Sequence, residues 1–160
     1  MNFEPLAFRN CLSRFATGIT VVTCLDDQGV PHGMTVNSFN SVSLDPPLIL
    51  FSLARDANSI GNFQAADSYN VNVLAAGQMD ISQKFSIAGE EKWRDTAWSA
   101  GIHGAPVLDG AMAKFECRPE TTCDGGDHII FIGRVLECEQ REELSPLLYY
   151  AGRYAEISEG

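Results

Sequence analysis

His32-Gly33-Met34-Thr35-Val36-Asn37-Ser38-Phe39-Asn40-Ser41-Val42-Ser43-Leu44-Asp45-Pro46-Pro47-Leu48-Ile49 is the stretch on which the fold turns. Its first part, from Pro31 to Val36, reads as a strand returning from the turn Asp26-Asp27-Gln28-Gly29. Ser41 to Leu44 is a second, short strand, stopped by Asp45-Pro46-Pro47, because proline offers no amide to a ladder. Leu48 to Leu53 follows as a nearly continuous apolar run, the pattern of a central strand buried on both faces. Turns too short to hold a helical crossover make consecutive strands antiparallel neighbours.

The flanks agree. Upstream, Pro5 to Ala16 reads as a helix, with Pro5 in its first turn and Gly18 beyond its end. Leu6, Leu12, Phe15 and Ala16 share one face of it, and Gly18 to Cys24 is a β-branched strand. Downstream, Asn58 is placed to cap a short helix through Ala66, with Ile60 and Phe63 facing inward. Tyr69 to Leu74 alternates Val71 and Val73 against Asn70 and Asn72, and Asp80 to Phe85 reads as another short helix. From Ser86 to Ala105 the periodicity fails; this polar stretch carries Trp93, Trp98 and several glycines, as a covering loop does. Gly110 to Thr121 sets Ala111, Ala113, Phe115 and Cys117 against Met112, Lys114, Glu116 and Arg118, a half-buried strand. Cys123 to Asp127 is a turn, His128 to Glu139 a long strand, and Ser145 to Tyr150 with Arg153-Tyr154 closes the chain. Strands joined by hairpins and accompanied by short helices define a mainly β class, an antiparallel barrel, expected as one domain over residues 1–160.

Composition narrows the function. The chain is 45% hydrophobic and 20% charged, as an ordinary globule is, and its net charge of −10 repels nucleic acid and anionic membrane surfaces. No apolar run reaches the ~20 residues of a membrane span, and Met1-Asn2-Phe3-Glu4-Pro5 lacks a secretory pattern, so the expected location is the cytoplasm. Five cysteines without a C-x-x-C suit free thiols in a reducing compartment, with Cys11, Cys117 and Cys138 read as small core residues. Glycine-rich dinucleotide and phosphate loops, a G-x-S-x-G elbow and an H-E-x-x-H are all missing. His32, His103 and His128 lie far apart, so no metal site is expected. Hydride transfer between two cofactors tolerates these absences, because the cofactors carry the chemistry and the protein aligns them.

The run G-M-T-V-N-S-F from Gly33, followed by S-V-S-L-D-P-P-L from Ser41, resembles the signature of the short-chain flavin reductase family. The resemblance extends through Phe15 to Thr23, Ser82-Gln83-Lys84-Phe85, Gly126 to Val135, Pro146 to Tyr150 and Gly152-Arg153-Tyr154. It implies an FMN-binding split β-barrel and an enzyme that reduces FMN or FAD with NADH or NADPH. Reduced flavin would then pass by diffusion to a partner monooxygenase, and the chain would form a homodimer. Within that resemblance, the flavin lies along Met34, Thr35, Val36, Asn37 and Ser38 and the strand end Ser52, Leu53 and Ala54. Thr35, Asn37 and Ser38 offer polar groups to the ring's pyrimidine edge, and Gly33 permits close backbone approach. Asn58 and Ser59 at a helix start, with Arg55 nearby, suit the phosphate. Lys84 and Phe85 resemble residues at the ribityl-phosphate end; His128 resembles a histidine that positions nicotinamide and flavin, and Tyr154 an aromatic packed near the cofactors. Two other readings keep the fold: reduction of another acceptor such as a cobalt corrinoid, or a non-catalytic flavin-binding redox module. A pyridoxamine-phosphate oxidase type of barrel is more distant, since it wants more basic residues than the eleven lysines and arginines here.

Overall fold

The computed structural model describes residues 4–89 and 91–157. Met1 to Phe3 of the opening segment therefore lie outside the described residues. Among the described residues three α-helices, α1 (Pro5–Leu12), α2 (Ile60–Ala65) and α3 (Met79–Phe85), flank twelve strands. The strands are β1 (Thr17–Gly18), β2 (Thr20–Leu25), β3 (Pro31–Val36), β4 (Asn40–Leu44), β5 (Pro47–Ala54) and β6 (Tyr69–Val73). They continue as β7 (Trp98–Ala100), β8 (Pro106–Leu108), β9 (Ala113–Gly125), β10 (His128–Gln140), β11 (Leu148–Tyr150) and β12 (Arg153–Ala155).

Seven strands form one sheet in the order β3-β2-β6-β9-β10-β5-β4, with every pairing antiparallel. The sheet curls so that β3 approaches β5 without a ladder between them. A side chain spans that seam: Ser38 Oγ accepts from the Ser52 amide at 2.9 Å and donates to the Ser52 carbonyl at 3.1 Å. Inside, Phe51 and Phe131 face each other in register and stack at 5.2 Å, and Phe63 of α2 meets both edge-on. Such aromatic cross-strand pairs add to the burial of their large apolar areas. Tyr69 packs its hydroxyl against the backbone of Gly133, where a Cβ would lie 2.5 Å from that oxygen, so the β10 position admits no side chain.

A second apolar cluster lies outside the barrel: Ile19, Val21, Leu74, Phe85, Leu108 and Leu147, with Trp93 and Tyr154 against it. It explains a correction. The strand buried on both faces is β2, buried from Thr20 through Cys24, because it separates the two clusters. In β5, Ile49, Phe51 and Leu53 are buried, whereas Leu48, Leu50 and Ser52 are half-buried.

Other expectations need revision as well. Helix α1 ends at Leu12, and Leu6, Leu12 and Phe15 stay exposed. A short helix that buries nothing gains no tertiary packing to extend it. Asn58 caps nothing, and α2 starts two residues later without a side-chain cap. The Ser86–Ala105 region, described apart from residue 90, includes a helical turn at Glu91–Trp93 and the strand β7, which pairs with β8. Among the cysteines, Cys24 and Cys117 are buried and Cys11, Cys123 and Cys138 exposed, all of them free; burial pushes the Cys24 and Cys117 thiols up to about 12.

Glu116, read as outward-facing, is 3% exposed. It accepts from the Ile102 amide at 2.6 Å and from Lys114 Nζ at 2.9 Å, so the β7–β8 hairpin covers it. The hydrogen bond to Glu116, and then its charge, hold the Lys114 ammonium above the usual lysine range.

Candidate active site

A cleft of about 470 Å³ straddles the free edge of β3. One wall is β3 itself, with Pro31, His32 and Met34. The second is the segment Asp56, Ala57, Asn58 and Ser59, with Asn62 of α2. The third is Phe85 at the end of α3, the residues Ser86 to Gly89, and Lys92 and Trp93. Strand parity assigns the β3 side chains: His32 bonds Asn62 on one face, while the bare Cα of Gly33 turns toward Phe85 and Trp93 on the other. A Cβ at Gly33 would sit 2.7 Å from Phe85 and 3.1 Å from Trp93, so glycine lets the aromatic wall close onto the strand. The Gly33 carbonyl points off the sheet to Lys92. Since a strand residue's N–H and C=O point the same way and alternate along it, the amides of Gly33 and Thr35 lie on this open edge.

Of the residues selected from the sequence, Met34, Asn58, Ser59 and Phe85 line the cleft. The others stand around it. Thr35 Oγ1 donates to the Ser82 carbonyl at 2.6 Å, and Tyr154 Oη lies 3.0 Å from Ser82 Oγ, so both brace α3. Val36 and Leu53 are buried in the barrel core, and Asn37 is exposed. Ser38 and Ser52 make the seam described above. Ala54 pairs with His128 at the shared end of β5 and β10. Lys84 Nζ donates to Thr96 Oγ1 at 3.2 Å rather than entering the cleft. Arg55 is committed to the β9–β10 turn, through Asp124 at 3.0 Å and the Gly126 carbonyl at 2.7 Å.

His128 follows the two-residue turn Gly126-Asp127, in which Gly126 has φ 79°. Its Nδ1 lies 2.8 Å from Asp127 Oδ1, which leaves Nε2 available. That contact holds the Asp127 carboxyl below the usual carboxylate range.

The sequence reading of the site also left His32, Asn62 and Lys92 of the cleft unassigned, and it placed Trp93 only in a covering loop. His32 Nε2 is 3.0 Å from Asp26 Oδ2, and Asn62 Nδ2 lies 3.0 Å from the same ring. Asp26 also accepts from the Gln28 and Val30 amides. His32 first, then the Val30 amide, draw its carboxyl below the ordinary range. Lys92 Nζ donates to the Gly33 and Ile87 carbonyls, each at 3.0 Å, and sits 5.6 Å over the Phe85 ring. Burial pulls its pKa below that of a free lysine. Among the described residues, no group of three or more His, Cys, Asp or Glu side chains is placed to hold a metal, and no helix is long and apolar enough to cross a membrane.

An antiparallel barrel with a bridged seam and a cleft of about 470 Å³ at its edge strand is the split-barrel architecture. Residues 12–158 match the model of the flavin reductase like domain, and the chain belongs to that family. It is 42% identical over 152 residues to the FMN reductase (NADH) SmoA of Agrobacterium fabrum, covering 95% of this chain and 86% of that one. It is 41% identical to a probable flavin reductase of Rhizobium meliloti, also over 95% of this chain, but spans only 49% of that relative's length. The NADH:FAD oxidoreductase SgcE6 of Streptomyces globisporus superposes with a TM-score of 0.92 at 34% identity, over 99% of this chain and 97% of that one. A second structure of SgcE6 holds NAD and FAD fragments.

Proposed function

We propose that the chain is an NAD(P)H:flavin oxidoreductase that reduces FMN or FAD, with residues 1–160 forming one such unit. The observation that carries the reading is the β3 cleft in a chain of this family. Its volume of about 470 Å³ falls within the roughly 300–1,000 Å³ of ligand sites. Its walls mix apolar and aromatic surface from Met34, Phe85 and Trp93 with polar groups from Asn58, Ser59 and Asn62. That mixture suits a planar ring bearing a polar edge and a phosphate-ended tail, so the residues fit a flavin. Bound flavin supplies the acceptor for a nicotinamide hydride. The protein's own part is positional. Met34 and Phe85 offer apolar surface, the Gly33 and Thr35 amides offer donors at the strand edge, and Asn58 and Ser59 supply polar groups opposite. The Trp93–Phe85 wall keeps water from one side. His128, oriented by Asp127, is assigned to position the nicotinamide through Nε2. Val36, Leu53, Ser38 and Ser52 keep the strands beside the cleft in place and Tyr154 braces α3, while Asn37, Ala54 and Lys84 stay with the flavin's surroundings by the family resemblance alone.

The relatives extend the reading outward. Some are named as reductase subunits of flavin-dependent monooxygenases. By that likeness the reduced flavin leaves this chain for a partner monooxygenase; the homodimer and the cytoplasmic location implied by the sequence complete the proposal. The test is oxidation of NADH and of NADPH followed with added FMN and FAD. Turnover that depends on added flavin, slowed in His128→Ala, is the expected result. A chain that binds flavin yet oxidises neither nucleotide refutes the reading.

A further inference from the structure

Lys92 has no role in the sequence reading, yet among the described residues it is the basic side chain the cleft leaves without a counter-charge. The cleft's other basic group, His32, faces Asp26. Nearby cations are engaged elsewhere: Arg55 with Asp124, Arg94 with Glu91, Lys84 with Thr96 Oγ1. Among the described residues, no carboxylate lies within 4.0 Å of Lys92 Nζ. Its two hydrogen bonds go to neutral carbonyls, Gly33 and Ile87, which leaves the third N–H of the ammonium unused. A half-buried ammonium with neutral partners alone bears a desolvation cost that an anion would offset. In a chain of net charge −10, such a local cation offsets the repulsion an anionic ligand meets.

We infer that Lys92 binds the phosphate ester of the flavin, and so makes the cleft prefer FMN and FAD to riboflavin. This rests on the flavin reading above. The two carbonyls that hold Nζ belong to the edge strand and to the chain beyond α3, so the ammonium is fixed at the junction of two walls. The site thus selects for a phosphorylated tail independently of how the ring is gripped.

The experiment compares equilibrium binding of FMN and of riboflavin, by flavin fluorescence and without nicotinamide nucleotide, to wild type, Lys92→Gln and Lys92→Arg. Glutamine keeps an N–H donor for the Gly33 and Ile87 carbonyls but removes the charge. Loss of one charge-assisted bond lowers the FMN-to-riboflavin affinity ratio about tenfold in Lys92→Gln, while arginine preserves it. Added salt reduces the wild-type ratio and leaves the glutamine variant's ratio unchanged. Should the glutamine variant fail to fold, the wild-type ratio is read against rising alkaline pH. It falls as Lys92 loses its proton below the free-lysine value of 10.5. Equal weakening of both flavins in Lys92→Gln would assign the lysine to structure alone and overturn the inference. An unchanged ratio with a raised KM for NADH, riboflavin serving as acceptor, would overturn it in favour of the nicotinamide nucleotide's diphosphate. A wild-type chain that oxidises neither nucleotide defeats the enzyme reading but still reports on Lys92 through the binding ratio.

Discussion

Gly33→Ala tests whether the aromatic wall of the cleft is packed against the edge strand. The φ of Gly33 is not positive, so alanine meets no backbone strain there. The obstacle is space. The new methyl would lie 2.7 and 2.8 Å from two ring carbons of Phe85 and 3.1 Å from Trp93, against a relaxed carbon–carbon separation of about 3.5–4.0 Å. The Phe85 ring must therefore retreat by roughly 0.7–1.3 Å. It is 2% exposed and meets Trp93 edge-on at 4.9 Å, so the two rings have to move together. Overpacking of this kind costs about 1–3 kcal/mol, and the loss of glycine's unfolded-state freedom returns about 0.4–1 kcal/mol. The net destabilisation is about 1–2 kcal/mol, a fall in Tm of about 2–8 °C for a chain of this size. Because the Gly33 carbonyl holds Lys92, the same displacement weakens FMN binding. Thermal unfolding and FMN titration read the two effects. Gly61→Ala is the control: nothing lies within 4 Å of its added methyl, and α2 gains helix propensity, so its Tm does not fall. Wild-type Tm and wild-type FMN affinity in Gly33→Ala would refute the packing of the wall against β3.

Thr35→Val removes the 2.6 Å bond to the Ser82 carbonyl and lowers stability by about 1 kcal/mol in urea unfolding, with a smaller effect on FMN affinity than Lys92→Gln. An unchanged urea midpoint would show that this bond does not hold α3 against β3. For Asp26, the folded-state carboxyl titrates below its ordinary value of 3.8, chiefly because His32 bonds it. A depressed carboxylate contributes stability that is present above the unfolded value and is lost as pH falls through the folded one. Wild type therefore exceeds Asp26→Asn in stability at pH 7, and the difference shrinks as pH drops below 3.8; a difference constant from pH 7 to pH 2.5 would contradict the pairing.

The barrel was legible because its determinants are local. Alternation, Gly126-Asp127 and Asp45-Pro46-Pro47 place strands and hairpins without knowledge of what packs on them. β10, expected from His128 to Glu139, runs from His128 to Gln140. What failed is what depends on the second layer. Whether β2 or β5 is buried twice depends on the outer cluster around Phe85 and Leu108, which is assembled from residues distant in the chain. Glu116 looks solvent-facing in its own strand and is buried only because a hairpin from another segment covers it. The site divided along the same line. The polar run Thr35 to Ser38 announces a special edge strand, but parity sends the Thr35 hydroxyl to Ser82 while Met34 lines the cleft. Lys84 sits in a recognisable motif and Lys92 in a stretch without periodicity, yet Lys92 is the lysine that reaches the cleft.

The cleft's aromatic wall is anchored far from the cleft itself. Trp93 packs edge-on against Trp98 at 6.0 Å, and Trp98 begins the β7–β8 hairpin. That hairpin lies over β2 and β6 on polar contacts. Asn72 Oδ1 accepts from the Leu108 amide at 2.9 Å, Asn70 Nδ2 donates to the Ala105 carbonyl at 2.7 Å, Thr23 Oγ1 donates to the Pro106 carbonyl, and Glu116 takes the Ile102 amide. Each of these four side chains is buried, so a hairpin that slipped or lifted would strand polar groups away from water. An unsatisfied buried group costs about 1–3 kcal/mol, and several would be stranded together. An apolar hairpin face could slide over β2 and β6 at little cost, whereas this one has a single register. The wall that meets Gly33 and borders Lys92 is thus positioned by hydrogen bonds on the far side of β2. This accounts for asparagine at 70 and 72 in a strand whose neighbours Tyr69 and Val71 are core residues, where packing alone would favour valine.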